Sequence, residues 1–144
     1  METAAQKRLF RFSGQQKQEI ISALTSLLQR HAAIQFAYLY GSFLADMPCH
    51  DIDIGVYLEG LAPLDMGLFA VELSAQLGSQ ARCPVDVRVL NNAPLPFIYQ
   101  VLRGKLLLEN NPDLHGRIFE HTVSRYLDLK PLLLRATKEA FTDV

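Results

Sequence analysis

The sequence predicts an α/β domain in which helices pack on a β-sheet. Three apolar runs of strand length, at 34–40, 51–58 and 85–90, alternate with stretches whose apolar residues recur at helical spacing. Elements that alternate in this way along one chain are typical of a layered fold with helices against a sheet. A chain of 144 residues suits a single domain and is long enough to bury a hydrophobic core.

The first helix is predicted to begin directly after Ser13. Residues 1–12 show no clear periodicity and are predicted to form a flexible arm. Ser13 and Gln16 have the spacing of a capping box, in which a side chain at each position accepts a hydrogen bond from the backbone of the other. The apolar residues that follow recur at helical spacing, so the helix is predicted to continue to about residue 30.

The C-terminal part of the chain predicts further helices and one more strand. In chain order these elements are a helix at 64–80, a helix at 97–103, an edge strand at 105–108 and a helix from 113 toward 129. Asn111 and Pro112 form a good start for the last helix. Pro131 is expected to kink or break that helix before a further helical stretch reaches about residue 141.

Composition and charge favour an ordinary soluble protein. The net charge is −1 and no apolar run reaches the length of a membrane span, so neither a nucleic acid nor a membrane is indicated as a partner. Cys49 and Cys83 have the spacing of neither a disulfide framework nor a zinc site, and they are expected to be free thiols. The N-terminus lacks the pattern of a signal peptide, so the expected location is the cytoplasm.

Two aspartates in the second predicted strand need a reason, because aspartate is depleted in strands. Side chains alternate between the two faces of a strand, so Asp51 and Asp53 share one face while the intervening isoleucines share the other. The third strand repeats this pattern, with Asp86 and Arg88 opposite three valines. If the two strands are neighbours, three carboxylates converge on one side of the sheet.

Three close carboxylates repel one another unless a cation lies among them. Oxygen ligands favour a hard ion such as Mg²⁺, and two such ions can hold a triphosphate and activate an attacking hydroxyl. Asp51 and Asp53 would then bind metal, and Asp86 would be a further ligand or the general base. Taken singly, such residues usually belong to the surface or to helix caps, and their combination on predicted strands is what indicates a site.

Gly41 and Ser42 interrupt the apolar pattern directly after the first predicted strand. Glycine permits a sharp turn, and residues 42–46 could start a short helix that ends before Pro48. Backbone N–H groups at a helix start bind phosphate, and the Ser42 hydroxyl could add a further contact. A glycine–serine pair in this place is often only a turn, but beside the acidic residues it predicts a nucleotide site.

Some other residues have open interpretations. Cys49 and His50 are interpreted as loop residues in preference to zinc ligands, and Arg88 either contacts phosphate or neutralises the acidic cluster. His115 is expected to lie at the surface or to face a partner. The leucines at 132–134 exceed what one helix face needs, so they belong either to the core or to a docking surface.

The order of these motifs resembles the signature of the nucleotidyltransferase superfamily that includes DNA polymerase beta. That signature is a glycine–serine pair, an acidic D-x-D pair and a third acidic residue on a later strand. The corresponding positions here are Gly41, Ser42, Asp51, Asp53 and Asp86. The small size and the segment FIYQVLRGKLLLENNPDLHGRIFEHTVSRYLDLKPLLLRAT are similar to the minimal nucleotidyltransferases (MNT proteins) of the MntA-like antitoxins.

The resemblance implies one nucleotidyltransferase domain over residues 1–144, with a small mixed β-sheet flanked by helices and followed by C-terminal helices. It implies an antitoxin that uses ATP and Mg²⁺ to transfer AMP to a tyrosine of a HEPN ribonuclease toxin, which silences the toxin. In that case the three aspartates bind metal and carry catalysis, whereas Gly41 and Ser42 bind the nucleotide. The partner is then a protein, and neither nucleic acid nor membrane is contacted directly.

Two alternatives stay open. The family loop commonly reads G-S-F-A-R-G, whereas this chain reads G-S-F-L-A-D and has a shorter connection to the acidic pair. This difference favours an antitoxin that neutralises its toxin by contact alone. The other alternative is a small-molecule nucleotidyltransferase of the aminoglycoside type, although the chain has little room for the additional domain that holds such an acceptor.

Overall fold

Four strands form one mixed sheet, in the order β3-β2-β1-β4, in the computed structural model, which describes residues 8–142. The strands are β1 (Ile34–Tyr40), β2 (Ile52–Leu58), β3 (Val85–Val89) and β4 (Lys105–Glu109), and the helices are α1 (Gly14–Leu28), α2 (Pro63–Ala81), α3 (Leu95–Leu102) and α4 (Pro112–Thr142). β1 is antiparallel to β2 and β4, whereas β2 and β3 are parallel and are joined by α2, as a parallel pair requires. The predicted mixed sheet flanked by helices is therefore confirmed.

Helices cover both faces of the sheet, and each face has its own apolar core. On one face Ile52, Ile54 and Val56 are fully buried in a core that also includes residues of α1 and α2. On the other face Phe36 and Val101 belong to a smaller core, to which α3 and α4 contribute. The alternation predicted for the second strand is thus observed, with its isoleucines on the face that carries the larger core.

The first helix begins as the sequence predicts. The Ser13 hydroxyl accepts a hydrogen bond from the Gln16 backbone N–H at 3.1 Å, and the Gln16 side-chain oxygen accepts from the Ser13 N–H at 2.8 Å. This reciprocal pair is the predicted capping box, and it satisfies two N–H groups that a helix start leaves without partners. The helix ends at Leu28, slightly before the predicted end.

Part of the predicted flexible arm is bound to the domain. Residues 1–7 lie outside the described part of the chain. Phe10 forms an antiparallel bridge with Cys49, through backbone hydrogen bonds of 2.8 and 3.0 Å. The ring of Phe12 meets that of Phe43 edge-on at 5.6 Å between centroids. The segment from residue 8 to 12 therefore differs from a loose arm, because it packs against the loop that joins β1 to β2.

The C-terminal region forms one continuous helix, so the predicted break at Pro131 does not occur. Proline lacks the N–H that would bond to the carbonyl four residues earlier, which belongs to Leu127. Leu127 is half exposed, and water can satisfy that carbonyl at an exposed position. The leucines at 132–134 are also exposed, so they are not part of the core.

His115 is buried, which corrects the expectation that it lies at the surface. Its Nδ1 contacts the carboxylate of Glu109 on β4, and its Nε2 lies 2.6 Å from the Tyr38 hydroxyl on β1. Burial, followed by the charge of Glu109, raises the pKa of Tyr38. The histidine therefore ties the start of α4 to two strands, and a buried polar group with both partners satisfied supports the fold.

Gly104, between α3 and β4, is required by the close approach of the chain to β1. A Cβ atom at this position would lie 2.2 Å from the carbonyl oxygen of Leu39. We expect Gly104→Ala to lower the free energy of unfolding by about 1–3 kcal/mol, because β4 must move away from β1. Unfolding in urea, followed by circular dichroism, measures the change.

Gly116→Ala is the matched control, because the same substitution inside α4 meets no atom within 4 Å. An alanine in a helix interior is more stable than glycine by roughly 0.5–1 kcal/mol, so this variant should gain stability. If Gly104→Ala were as stable as the parent, the tight contact between Gly104 and Leu39 would not hold in solution.

Candidate active site

The sheet brings the predicted acidic residues to one end of neighbouring strands. Asp53 on β2 pairs in register with Asp86 on β3 and, on its other side, with Tyr40 on β1. Asp51 lies just before β2, which begins one residue later than predicted. The parallel pairing of β2 and β3 therefore places Asp53 and Asp86 side by side on the same face, as strand alternation predicted.

Asp53 is a residue of this cluster whose pKa is raised. Its side chain is half-buried, and burial together with the charges of Asp51 and Asp86 raises the pKa of Asp53 to about 6. The neighbouring Tyr40 is affected in the same direction: burial, and next the charge of Asp53, raises the pKa of its hydroxyl to about 12. The cluster thus holds more negative charge than its surroundings compensate, which is the condition that favours a bound cation.

Arg88 supplies part of the missing positive charge. Its Nε donates to Asp86 Oδ2 at 3.1 Å, and its guanidinium lies 5.7 Å from the centre of the Phe97 ring on α3. The Arg88 and Asp86 side chains are 60% and 43% exposed, so solvent weakens this ion pair. Of the two roles considered for Arg88, the structure shows the neutralising one, and Arg88 also lowers the pKa of Asp53.

Gly41 passes directly over Asp53. Its φ is +86°, in the left-handed region that favours glycine, and a Cβ atom here would lie 2.5 Å from Asp53 Oδ2. A side chain at position 41 would therefore push the carboxylate aside. Gly41 of the glycine–serine pair and Asp53 of the acidic pair, which are separated in sequence, are thus adjacent in the fold.

The loop after Gly41 consists of successive turns, so the short helix predicted at 42–46 is wrong. The N–H groups of Leu44 and Ala45 donate to the carbonyls of Gly41 and Ser42, at 3.2 and 3.1 Å. These three-residue closures are tighter than those of an α-helix. The two N–H groups are already occupied, which removes them from the set that could bind phosphate and leaves the Ser42 hydroxyl as the predicted side-chain contact.

Lys17 holds this loop in place, and sequence reasoning did not select it. Its Nζ donates to the carbonyl of Ala45 at 2.9 Å and lies 5.3 Å from the centre of the Phe43 ring, which is buried. Lys17 belongs to α1, far from the loop in sequence, and no motif marks it. The loop segment G-S-F-L-A-D has no basic residue of its own, and the structure brings a lysine to it from another element.

The three aspartates have the chemistry of a magnesium site but not its compact arrangement. In residues 8–142, no three His, Cys, Asp or Glu side chains lie close enough together to hold a metal ion. The donors nevertheless fit Mg²⁺, because all are carboxylate oxygens, and burial followed by the charges of Asp51 and Asp86 raises the pKa of Asp53.

Cys49 and His50, which precede Asp51 in sequence, make structural contacts from the loop between β1 and β2. Cys49 is buried in the larger core and pairs with Phe10, and the ring Nδ1 of the exposed His50 lies 3.2 Å from the carbonyl of Arg8. Cys49 and Cys83 are both free thiols, as expected. These positions agree with the interpretation of Cys49 and His50 as loop residues.

The pKa of Asp53 predicts how stability depends on pH in a metal-free buffer. An aspartate ordinarily has a pKa of 3.8, so the unfolded chain loses this proton at lower pH than the folded protein does. The free energy of unfolding should therefore decrease as the pH rises from about 4 to about 6, and it should stay lower at higher pH. We expect Asp53→Asn to raise the free energy of unfolding by about 1 kcal/mol at about pH 8, after allowance for solvent screening, and by almost nothing near pH 3.5.

Glu72→Gln is the control for this measurement, because Glu72 is an exposed carboxylate on α2. Urea unfolding at the two pH values, with a chelator present, compares both variants with the parent. An Asp53→Asn gain of the same size at both pH values would contradict the assigned pKa.

Comparison with known families identifies the fold and the chemistry class. Residues 22–113 match the family described as Polymerase beta, Nucleotidyltransferase. The chain belongs to this nucleotidyltransferase family. The matched range contains the glycine–serine pair and all three aspartates.

Solved structures of toxin–antitoxin complexes share this fold. A chain in the structure of tri-AMPylated Shewanella oneidensis HEPN toxin in complex with MNT antitoxin is 23% identical, with a TM-score of 0.66 over 87% of this chain and 98% of that chain. The MntA–HepT toxin–antitoxin structure gives 23% identity and a TM-score of 0.65, over 86% and 98%. A toxin–antitoxin structure with AMP-PNP gives 24% identity and a TM-score of 0.64, over 85% and 97%.

No curated protein matches the chain significantly. Among the helices of residues 8–142, none combines the length and the apolar character needed to cross a lipid bilayer.

Proposed function

We propose that this nucleotidyltransferase is an antitoxin that transfers AMP from ATP to a tyrosine of a HEPN-type toxin. The observation that carries the proposal is a structural match that covers 98% of a chain from a complex of an AMPylated HEPN toxin with MNT antitoxin. The family supplies the reaction class, and the AMP-PNP complex of a similar fold supports ATP as the substrate. The chain would act in the cytoplasm as a single minimal domain.

In the proposed reaction, Gly41 and Ser42 lie beside the β- and γ-phosphates of ATP. The acceptor hydroxyl attacks the α-phosphorus in line, a new O–P bond forms, and the bond to the β-phosphate oxygen breaks with release of pyrophosphate. Asp86 accepts the hydroxyl proton. Mg²⁺, held by Asp51, Asp53 and Asp86, would neutralise the triphosphate and stabilise the leaving group.

Positioning and charge compensation account for most of the catalysis in such a transfer, because the protein forms no covalent bond to the nucleotide. The open edge of the sheet at Asp86 leaves the acceptor side of the site accessible. Arg88 pairs with Asp86 through Oδ2 and would keep this neutralising role in the reaction.

Neutralisation by contact alone is the second candidate, and one observation favours it. The three aspartates do not form a ready metal-binding group within the described residues, and Asp86 is paired with Arg88 instead. Such an antitoxin would silence its toxin without ATP. A small-molecule acceptor is less well supported, because the chains matched over nearly their whole length come from toxin–antitoxin complexes.

The intact mass of the toxin tests the proposal. The cognate HEPN-type toxin is incubated with the purified chain, ATP and Mg²⁺, and a mass increase by whole AMP units is expected, on a tyrosine. Omission of ATP is the control for binding alone. Full neutralisation of the toxin without any mass increase would establish the contact-only antitoxin, and transfer of AMP to aminoglycosides only would establish the small-molecule enzyme.

A further inference from the structure

A stripe of apolar and small residues lies along the solvent side of α2. Leu64, Leu68 and Val71 are 90%, 59% and 67% exposed, and adjoining exposed apolar side chains are typical of interaction surfaces. Two small residues, Ala75 and Gly78, continue the stripe. The five positions follow one another at intervals of four, three, four and three residues, which is the spacing of a helix that packs lengthwise against another helix.

The opposite side of α2 is covered by the protein's own core. Its buried residues also recur at helical spacing, and they are Ala70, Leu73, Leu77 and Ala81. A helix on the surface of a domain usually has one apolar side, whereas α2 has two. The second side, which we call the α2 stripe, therefore has the pattern of a surface that another helix covers.

The order of side-chain sizes makes the α2 stripe complementary to itself in an antiparallel arrangement. If two copies of α2 cross at Val71, Leu64 of one copy lies opposite Gly78 of the other. Leu68 likewise lies opposite Ala75, because both pairs are symmetric about position 71 to within half a residue. Each large side chain then meets a small residue, and each pair occurs twice, as a two-fold axis requires. A parallel pair would instead put leucine opposite leucine and glycine opposite glycine.

A cleft beside the small residues of the stripe has room for the leucines of a second copy. Its volume is about 480 Å³, and it lies between α2 and the segment that leads into β3. Ala75 and Gly78 are among the residues that line it. The end of one helix that carries the leucines would thus fill the cleft at the other end of its copy.

The charges at the two ends of α2 favour the same arrangement. Asp65 lies in the first turn of the helix, and Arg82 follows directly at its C-terminus. In an antiparallel pair, Asp65 of each copy lies at the same end as Arg82 of the other, so opposite charges meet at both ends of the interface. Glu72, the other charged residue of α2, lies beside the stripe and is exposed, so solvent screens its charge.

We propose that the α2 stripe is the interface through which two copies of this chain form an antiparallel dimer. The inference goes beyond the proposed function, because it requires neither a nucleotide nor a toxin. α2 packs on the isoleucines of β2, whereas Asp53 and Asp86 lie on the opposite face of the sheet. The dimer would therefore leave the candidate active site of each copy open.

Leu68→Glu tests this interface. The exposed position accepts a glutamate without a change in the core, but in the dimer the carboxylate would be buried opposite Ala75 without a partner charge. Sedimentation equilibrium should give twice the monomer mass for the parent and the monomer mass for the variant. We expect the dimer dissociation constant to rise at least about a hundredfold. Leu127→Glu is the matched control, because Leu127 is 53% exposed on α4, and this variant should stay dimeric.

A cysteine at the two-fold axis tests the antiparallel register. Val71→Cys places the two introduced thiols next to each other, so mild oxidation with oxidised glutathione should link the dimer. Ala75→Cys is the matched control, because its two copies would lie roughly 12 Å apart along the helices, too far for a disulfide. The native Cys49 and Cys83 are buried, so the introduced thiol is the one that reacts.

Three results would overturn the proposal. Equal cross-linking of Val71→Cys and Ala75→Cys would establish a parallel pair instead. A dimer that persists in Leu68→Glu would place the interface elsewhere on the chain. If the parent is monomeric up to millimolar concentration and Leu68→Glu lowers its affinity for the HEPN-type toxin, the toxin covers the α2 stripe and a second copy does not.

Discussion

Replacing Asp51 and Asp53 together by alanine is expected to abolish AMP transfer and to leave the fold intact. The two side chains lie at the start of β2, where Asp53 is held between Asp86 and Gly41. In the proposed function these carboxylates would hold Mg²⁺, so without them the triphosphate would lose the charge compensation that the proposed reaction needs. A loss of at least about 10³-fold in turnover is expected, because electrostatic stabilisation of the transferring phosphoryl group is the largest contribution to such catalysis.

The fold should survive this change, because removing like charges relieves repulsion. The raised pKa of Asp53 shows that its ionised form is disfavoured in the folded protein. Circular dichroism and urea unfolding check that the double variant is folded, and intact-mass measurement of the toxin follows transfer.

A double variant with the same loss of charge elsewhere is the control. Glu59 and Glu72 are exposed and do not belong to the cluster, so replacing both by alanine should leave transfer unchanged. If the Asp51/Asp53 double variant still transferred AMP at the parent rate with Mg²⁺ present, the acidic pair would not be the metal site.

Local patterns sufficed for most of the architecture and for the acidic cluster. A strand has a period of two, so the sequence alone placed Asp53 opposite the buried isoleucines of β2, and the parallel neighbour β3 then brought Asp86 beside it. The capping box at Ser13 was predictable for the same reason, since both partners lie within one helical turn.

Features that depend on distant contacts were not predictable in this way. His115 is buried because Tyr38 and Glu109, on two strands, satisfy its ring nitrogens, and neither partner is visible from the helix pattern. The contact of Lys17 with the loop after Gly41 joins elements far apart in sequence.

The short helix predicted at 42–46 and the break predicted at Pro131 are both absent, for reasons that are local to each segment. Residues 42–46 have the composition of a helix start, but the closures from Leu44 and Ala45 are those of turns. Pro131 keeps a helical backbone because the exposed end of α4 lets water replace the missing hydrogen bond. Sequence rules for helix breaks describe tendencies that solvent exposure can override.

Asp86→Asn is expected to reduce AMP transfer while nucleotide binding stays almost unchanged. The amide keeps the size of the carboxylate but cannot accept the hydroxyl proton and is a weaker metal ligand. Turnover should fall by about 10²–10³-fold, as is typical when a general base is lost, whereas the affinity for AMP-PNP should change little because Asp51 and Asp53 remain. Single-turnover transfer to the toxin and calorimetry with AMP-PNP measure the two quantities on the same protein.

The ion pair with Arg88 complicates this result, because Asp86→Asn also removes the partner of that guanidinium. Arg88→Gln breaks the same ion pair but leaves the carboxylate in place, so it is the matched control. If the loss of transfer comes from the carboxylate, Arg88→Gln keeps most of the activity and Asp86→Asn does not. Equal losses in both variants would show that the ion pair orders the site, and unchanged turnover in Asp86→Asn would mean that another residue is the third carboxylate.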